Sequence, residues 1–186
     1  MPSQNILIDR RDDLGILPAQ SKKGPKMAIQ VGDKLPEATL MEATAKGPEP
    51  RTVADLFGGK TVALFAVPGA FTPTCSAAHL PSFRDKAGDL SAKGVDEIVC
   101  LSVNDAFVMG AWGDSQNVGE TMRMVGDGNG EFTKAIGLEL DGSGFGLGHR
   151  SQRYSMLVKD GVVAQLNVEE GGGYEVSSAE YLLGQL

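Results

Sequence analysis

The chain has 186 residues, a length that suits one domain with a sizeable hydrophobic core and is short for two. Its 17 basic and 24 acidic residues give a net charge of −7, which argues against nucleic acid or an anionic membrane as the main partner. Hydrophobic residues make up 41% and charged residues 22% of the chain, a composition that argues against wholesale disorder.

The first residues of the chain carry no apolar segment of the kind found in signal peptides. Asp9, Asp12 and Asp13 also distinguish this stretch from acid-poor transit peptides. Nowhere in the chain does an apolar run approach the roughly 20 residues of a membrane span. We therefore expect residues 1–27 to form a flexible N-terminal extension and residues 28–186 to form a single domain.

Short apolar runs and helical patterns alternate from residue 61 onwards. Two continuous apolar runs are typical of strands buried on both faces, and the turn dipeptide Asp160-Gly161 joins two apolar segments into a hairpin. The predicted elements are a strand at 61–67, a helix at 73–92, a strand at 96–103, a helix at 105–116, a strand at 121–126, a helix at 131–137, a hairpin at 154–168 and a helix at 177–186. Parallel crossovers followed by an antiparallel hairpin predict an α/β, thioredoxin-like fold with a central mixed sheet and helices on both faces.

Cysteine and histidine are scarce in the chain. It holds only Cys75, Cys100, His79 and His149, with no CxxC pair and none of the standard ligand spacings of a zinc site. Because two cysteines do not make a secreted disulfide scaffold, we expect a reducing, cytoplasmic compartment. There each cysteine is either an inert core residue or a reactive one.

The residues before Cys75 predict that it lies in the first turn of a helix. The strand ends at Val67, Pro68 breaks it, Thr72 can serve as the N-cap, and Pro73 suits the first helical position. Free backbone N–H groups and the positive end of the helix dipole lie at this turn. Both favour the thiolate, which is the reactive form of cysteine, so position alone predicts a reactive Cys75.

Pro81 lies six residues after Cys75, inside the same helical pattern. Proline has no N–H to bond the preceding turn, so we expect a kink or an interruption of the helical hydrogen bonds near Ala77. The first turns would then unwind more readily than a regular helix. Such unwinding matters if Cys75 must swing out to meet a second thiol.

The segment VPGAFTPTCSAAHLPSF resembles the active-site signature of the peroxiredoxins, and its form PGAFTPTC…HLPSF is similar to that of the type II, or peroxiredoxin V, branch. The resemblance covers about residues 28–186 and includes VGDKLPEATL, KGVDEIVCLSVNDAFVMGAWG and HRSQRYSMLVKDGVVAQLNVE. It implies an antioxidant thiol peroxidase that reduces hydrogen peroxide and small alkyl hydroperoxides and contributes to cell redox homeostasis. It further implies a homodimer without metal, haem, flavin or nicotinamide, with glutathione, glutaredoxin or thioredoxin as reductant.

The resemblance also implies a role for each matching residue. Cys75 matches the peroxidatic cysteine, which attacks the peroxide O–O bond and becomes a sulfenic acid. Thr72 matches the threonine that hydrogen-bonds the thiolate and the peroxide, and Pro68 matches the proline that shields the thiolate from water. Arg153, rather than Arg150, matches the arginine beside the sulfur, because it directly precedes the aromatic-Ser-Met strand. A guanidinium suits that place because it stays charged.

The role of Cys100 stays open at the level of sequence. Its place in EIVCLSV predicts a small core residue in a buried strand. The family resemblance offers a second interpretation, in which Cys100 resolves the sulfenic acid by forming an intramolecular disulfide. The third interpretation is that an external thiol resolves it, since a disulfide needs Cα atoms within about 7 Å.

Other candidate residues have weaker signals. His79 lies four residues after Cys75 and could form a Cys–His nucleophile pair, but we favour a supporting role. His149 is expected in a loop near the mouth of the site. The glycine-rich stretch 142–148 precedes a strand, so it predicts a flexible loop and no nucleotide site. Phe71 and Phe107 are either core residues or, as the resemblance implies, part of a dimer surface.

Two alternative functions use the same features. A non-enzymatic peroxide sensor would oxidise Cys75 without steady-state turnover. A thioredoxin-like disulfide reductase would need the CxxC pair that this sequence lacks. Of the two, the sensor remains the serious alternative to a peroxidase.

Overall fold

The computed structural model describes residues 27–186, so the flexible extension predicted for 1–27 lies outside the described residues except for Met27. The strands are β1 Thr39–Thr44, β2 Gly47–Thr52, β3 Thr61–Val67, β4 Glu97–Ser102, β5 Arg123–Gly126, β6 Glu139–Asp141, β7 His149–Ser151, β8 Tyr154–Lys159 and β9 Val162–Val168. The helices are α1 Val53–Phe57, α2 Leu80–Asp85, α3 Ala87–Ala92, α4 Ala106–Ser115, α5 Glu131–Ile136 and α6 Ala179–Leu183, with a π-helical turn at Cys75–His79 and a 3₁₀ turn at Ser143–Phe145.

A seven-stranded sheet in the order β2-β1-β5-β4-β3-β8-β9 forms the centre of the molecule. Strand β3 pairs in parallel with β4, and β4 with β5, whereas β8 pairs antiparallel with both β3 and β9. The predicted mixed sheet and terminal hairpin are therefore confirmed, and so is the α/β, thioredoxin-like fold class. The strands predicted at 61–67 and 96–103 match β3 and β4 to within a residue at each end.

Two hydrophobic clusters, one on each face of the sheet, make up the core. Successive side chains of a strand point to opposite faces, so Leu64 packs in one cluster and Phe65 in the other. Cys75 and Cys100 both belong to the Phe65 cluster. Both cysteines are therefore enclosed on the same side of the sheet.

The opening hairpin of β1 and β2 and the small β6–β7 sheet were missed by the sequence patterns. Strand β2 reads GPEPRT, which has no apolar alternation and contains two prolines. Proline is tolerated there because β2 is an edge strand, where one side of the backbone needs no partner. Pairing with β1, rather than strand propensity, therefore holds this segment extended.

The helix predicted over 73–92 is present but irregular. Its helical geometry begins at Pro73, directly after Thr72 as predicted, and ends its first part at Asp85 before α3 starts. Across the π-helical turn the N–H of Leu80 bonds the Cys75 carbonyl, one residue further back than in an α-helix. Pro81 follows with no N–H, so the predicted interruption of the helical hydrogen bonds is confirmed.

None of the helices within residues 27–186 combines the length and the apolar character needed to cross a membrane.

Phe71, Phe107 and Trp112 differ in their burial. Trp112 is fully buried, whereas Phe71 is 56% and Phe107 is 74% exposed. The interpretation of Phe71 and Phe107 as core residues is therefore wrong, because both side chains project from surface segments.

Candidate active site

Cys75 is the first residue of the π-helical turn and is fully buried. The loop that leaves the end of β3 carries Pro68 and Thr72 and turns the chain into this helix. The Thr72 hydroxyl donates to the Gly69 carbonyl at 2.8 Å, and the Thr72 carbonyl accepts from the Ser76 N–H at 3.0 Å. Both Pro68 and Thr72 are half-buried, and the Thr72 hydroxyl is bonded to Gly69 rather than to the Cys75 sulfur.

Arg153 reaches Cys75 across the sheet from a distant part of the sequence. Pairing of Tyr154 with Ala66 places Arg153 beside the carboxyl end of β3, where the helix of Cys75 begins. Its Nη1 atom lies 3.4 Å from the Cys75 Sγ, and the arginine is only 9% exposed. The predicted pair is thus brought together, and a guanidinium in hydrogen-bond contact with a buried sulfur favours negative charge on it.

His79 contacts the same guanidinium nitrogen of Arg153 as Cys75 does. The His79 Nδ1 lies 3.3 Å from Arg153 Nη1, and its Nε2 lies 3.0 Å from the Ser177 carbonyl. Burial, aided by the charge of Arg153, lowers the pKa of His79 from 6.5 to about 3, so the ring is neutral. A carbonyl accepts only and an arginine donates only, so the proton resides on Nε2.

This arrangement does not favour the Cys–His nucleophile pair considered above. Both ring nitrogens of His79 are engaged, one by a carbonyl and one by a cation. The ring is further enclosed by Phe65, Phe83 and Tyr174, whose centroids lie 5.0, 5.8 and 5.4 Å away. His79 therefore has the geometry of a supporting residue, as the sequence interpretation favoured.

Arg150, the alternative to Arg153, occupies a different place. Its guanidinium donates to the carbonyls of Leu147 at 2.8 Å and Val103 at 3.0 Å. It thereby ties the glycine-rich loop to the segment that follows β4. His149 is exposed at the start of β7, beside Arg150 in a shallow surface pocket.

Cys100 lies in the middle of β4, between Phe65 of β3 and Met124 of β5. It is fully buried, and burial together with the nearby Cys75 raises the pKa of its thiol well above the ordinary value. Both thiols are free in this structure. The position agrees with the prediction of a small core residue, and a thiol held neutral by burial is a poor nucleophile.

The sequence patterns missed the segment that follows β9, residues 169–178, which we name the C-terminal loop. It supplies the Ser177 carbonyl to His79 and the Tyr174 hydroxyl, which donates to the Ala78 carbonyl at 3.3 Å. Each contact has a backbone carbonyl as one partner, and every residue type possesses that group. No local sequence signal could therefore have assigned the loop to the site.

Within the described part of the chain, no three His, Cys, Asp or Glu side chains are grouped as a metal ion would require.

Comparisons with known proteins place the chain in a family. The redoxin family model matches residues 30–183. Peroxiredoxin-2E-2, chloroplastic, of Oryza sativa subsp. japonica is 56% identical over 160 residues, which are 83% of this chain and 71% of the relative. Peroxiredoxin-2B of Arabidopsis thaliana is 49% identical over 156 residues, which are 83% of this chain and 96% of the relative.

A solved structure, reduced Prx3 of Vibrio vulnificus in complex with H₂O₂, superimposes with a TM-score of 0.81 and 55% sequence identity, covering 84% of this chain and 98% of that one. The chain therefore belongs to the redoxin family and, within it, to the type II peroxiredoxins. It is a thiol-dependent peroxidase with an antioxidant function, which takes a peroxide as substrate and a thiol as reductant.

The neutral state of His79 gives a pH dependence of stability. Between pH 6.5 and about 3 the unfolded chain protonates this histidine while the folded protein does not, so the free energy of unfolding falls as the pH drops through that window. His79→Gln keeps one donor and one acceptor but cannot titrate. From about pH 7 to pH 5 we expect the unmodified protein to lose about 2 kcal/mol more than the variant.

Urea unfolding at the two pH values measures this difference. The other acidic groups titrate alike in both proteins, so the variant itself serves as the control. Equal losses of unfolding free energy in the two proteins would show that His79 is protonated in the folded state.

Proposed function

We propose that Cys75 is the peroxidatic residue and that it is oxidised to a sulfenic acid. The observation that carries the proposal is the 3.4 Å contact of Arg153 Nη1 with the Cys75 Sγ in a site closed to bulk water. The thiolate attacks one peroxide oxygen; an S–O bond forms as the O–O bond breaks. Hydroxide or alkoxide leaves with the electron pair and takes up a proton to become water or an alcohol.

Each neighbouring residue has a part in this step. Arg153 stabilises negative charge on the sulfur before the reaction and on the leaving oxygen as the O–O bond breaks. We take the loop before the cysteine helix as the approach of the peroxide. The single proton of the Thr72 hydroxyl on this loop is donated to the Gly69 carbonyl in this structure, so the hydroxyl turns from that carbonyl to hydrogen-bond the thiolate or the peroxide. Pro68 covers the same approach and keeps water from the thiolate. The full burial of Cys75 favours hydrogen peroxide and small alkyl hydroperoxides over bulky ones.

We propose that an external thiol, from glutathione, glutaredoxin or thioredoxin, returns Cys75 to its thiol. The first thiol condenses with the sulfenic acid to form a mixed disulfide and water, and a second thiol releases Cys75. Cys100 is the internal alternative. Its burial and raised pKa support the external route, because only a thiolate attacks the oxidised sulfur efficiently.

We also propose a homodimer and a reducing, cytoplasmic compartment, both in keeping with cell redox homeostasis. The exposed Phe71 and Phe107 support the dimer. The groove beside Phe107 is lined by the apolar residues Met41, Pro48 and Ala106 together with Asp105, Asp127 and Glu131. The two cysteines are free rather than joined in a disulfide, which supports a reducing compartment, although two relatives are named as chloroplastic proteins. The alternative function, a non-enzymatic peroxide sensor, would use the same cysteine without turnover.

Cys75→Ser is expected to abolish peroxide consumption, because a hydroxyl at this position is neither ionised nor oxidised by peroxide. The measurement is the loss of hydrogen peroxide with glutathione plus glutaredoxin, and separately with thioredoxin. Thermal unfolding of the variant provides the control for folding. Fast turnover in the variant would refute Cys75 as the reacting group, and oxidation without turnover in the unmodified protein would favour the sensor.

Intact mass after one equivalent of peroxide, without added thiol, distinguishes the two routes of resolution. We expect the mass of one oxygen to be gained by the unmodified protein and equally by Cys100→Ser, because the buried Cys100 thiol does not attack. Loss of two hydrogens in the unmodified protein, absent from Cys100→Ser, would instead establish an internal disulfide.

Phe107→Asp is expected to convert a dimer into monomers, since a carboxylate replaces a large apolar side chain at the contact. Sedimentation equilibrium measures the mass in solution. Phe145→Asp is the matched control, because Phe145 is an even more exposed phenylalanine, 87% against 74% for Phe107, on the 3₁₀ turn. Identical masses for the two variants would contradict a dimer surface at Phe107.

A further inference from the structure

Glu169 is a buried carboxylate that organises the C-terminal loop. It is 7% exposed, and its Oε1 accepts the backbone N–H groups of Glu175, Val176 and Ser177 at 2.7, 2.8 and 2.7 Å. Three successive N–H groups converge on one oxygen, so the carboxylate sets the course of the loop backbone at this point. Removing the carboxylate would leave these N–H groups without that partner, at a cost in stability and order.

The same residue is attached to Arg153 through the main chain. The Glu169 N–H donates to the Arg153 carbonyl at 2.9 Å, so the loop begins next to the arginine. At its other end, the Ser177 carbonyl accepts from His79, whose Nδ1 in turn accepts from Arg153 Nη1. The contacts form a closed ring that runs from Arg153 to Glu169, through Ser177 and His79, and back to Arg153.

The guanidinium has few other fixed contacts of its own. Among the described residues, the buried Nε of Arg153 has no hydrogen-bond partner, and Nη1 is shared between Cys75 and His79. The place of the guanidinium therefore depends on the place of the histidine. The loop holds that histidine twice, through the Ser177 carbonyl and through Tyr174, whose ring centroid lies 5.4 Å from that of His79.

We propose that Glu169 is a positioning residue for the peroxidase reaction, which acts through Ser177 and His79 to hold Arg153 against the Cys75 sulfur. The inference deepens the proposed function and rests on it. Glu169 touches neither substrate nor sulfur in this scheme; its task is to fix the backbone that orders the histidine.

The direction in which removal of Glu169 changes formation of the Cys75 thiolate distinguishes a positioning role from a purely electrostatic one. A carboxylate near the site disfavours a second negative charge, so its loss as a charge alone would ease formation of the Cys75 thiolate. Loss of its positioning role would do the opposite, because Arg153 would move away from the sulfur. The other charged groups of the loop and its surroundings are Glu170 and Glu175 within it, together with Glu180 and Arg153, which both act on Tyr174. None of them is altered by the substitution.

The test uses Glu169→Ala and Glu169→Gln in a Cys100→Ser background, so that a single cysteine is observed. The ultraviolet absorbance of the thiolate is followed against pH, and the second-order rate constant with hydrogen peroxide is measured separately. In Glu169→Ala we expect thiolate formation to move to higher pH and the rate constant to fall about tenfold, as misplaced reacting groups do. Glu169→Gln keeps one acceptor oxygen and should fall between Glu169→Ala and the parent.

Asp127→Ala is the matched control for a purely structural effect. Asp127 is 4% exposed, and its carboxylate accepts the backbone N–H groups of Phe132 at 3.3 Å and Thr133 at 2.8 Å, next to the cluster on the other face of the sheet. We expect this variant to lose stability while its thiolate titration stays unchanged. A shift equal to that of Glu169→Ala would show that any loss of a buried carboxylate disturbs Cys75.

A double-mutant cycle with Arg153→Ala completes the test. If Glu169 acts through Arg153, then Glu169→Ala should leave the titration unchanged once the guanidinium is gone. Additive effects, or a Glu169→Ala titration that is unchanged or displaced to lower pH, would overturn the proposal. The absorbance titration needs no peroxide, so a failure of the proposed peroxidase step would appear in the rate constants alone.

Discussion

A buried guanidinium against a buried sulfur is the arrangement on which the site depends. Arg153 Nη1 lies 3.4 Å from the Cys75 Sγ, and neither residue is open to solvent. A buried charge is costly unless it is matched, and here the cation is matched by a sulfur that can carry negative charge. The antiparallel pairing of β3 with β8 provides the contact, because it places Arg153 beside the turn that begins the cysteine helix.

The residues around Arg153 and Cys75 make further polar contacts with the guanidinium without adding a second charge to the site. His79 is kept neutral, with its pKa lowered to about 3, so it can accept from Arg153 without adding a second positive charge. The C-terminal loop fixes the histidine through the Ser177 carbonyl, which accepts from His79 Nε2. Meanwhile the π-helical turn before Pro81 leaves the first part of the helix with irregular hydrogen bonds. The cation is therefore held by hydrogen bonds, while the sulfur lies in a segment whose helical hydrogen bonds are irregular.

Local sequence patterns predicted the strands that are continuous apolar runs and the hairpin that is marked by a turn dipeptide. Strands β3 and β4 are continuous apolar runs, and Asp160-Gly161 adopts the left-handed backbone, with φ of 48° and 75°, that a tight hairpin turn requires. The β1–β2 hairpin escaped prediction because the GPEPRT strand has no apolar alternation and is extended only through its pairing. Phe71 and Phe107 could not be assigned to core or surface until the packing was known.

The sequence by itself determined that Cys75 begins a helix, because Thr72 and Pro73 are residues that start helices. The family motif, matched residue by residue, identified Arg153 as its partner 78 positions away. Only the tertiary structure decided how that partner is held. The Glu169 carboxylate and the His79 ring are linked through the backbone N–H and carbonyl groups of Ser177, which every residue possesses and no sequence pattern distinguishes. The strand pairing likewise decided that Cys100 packs on the same face of the sheet as Cys75.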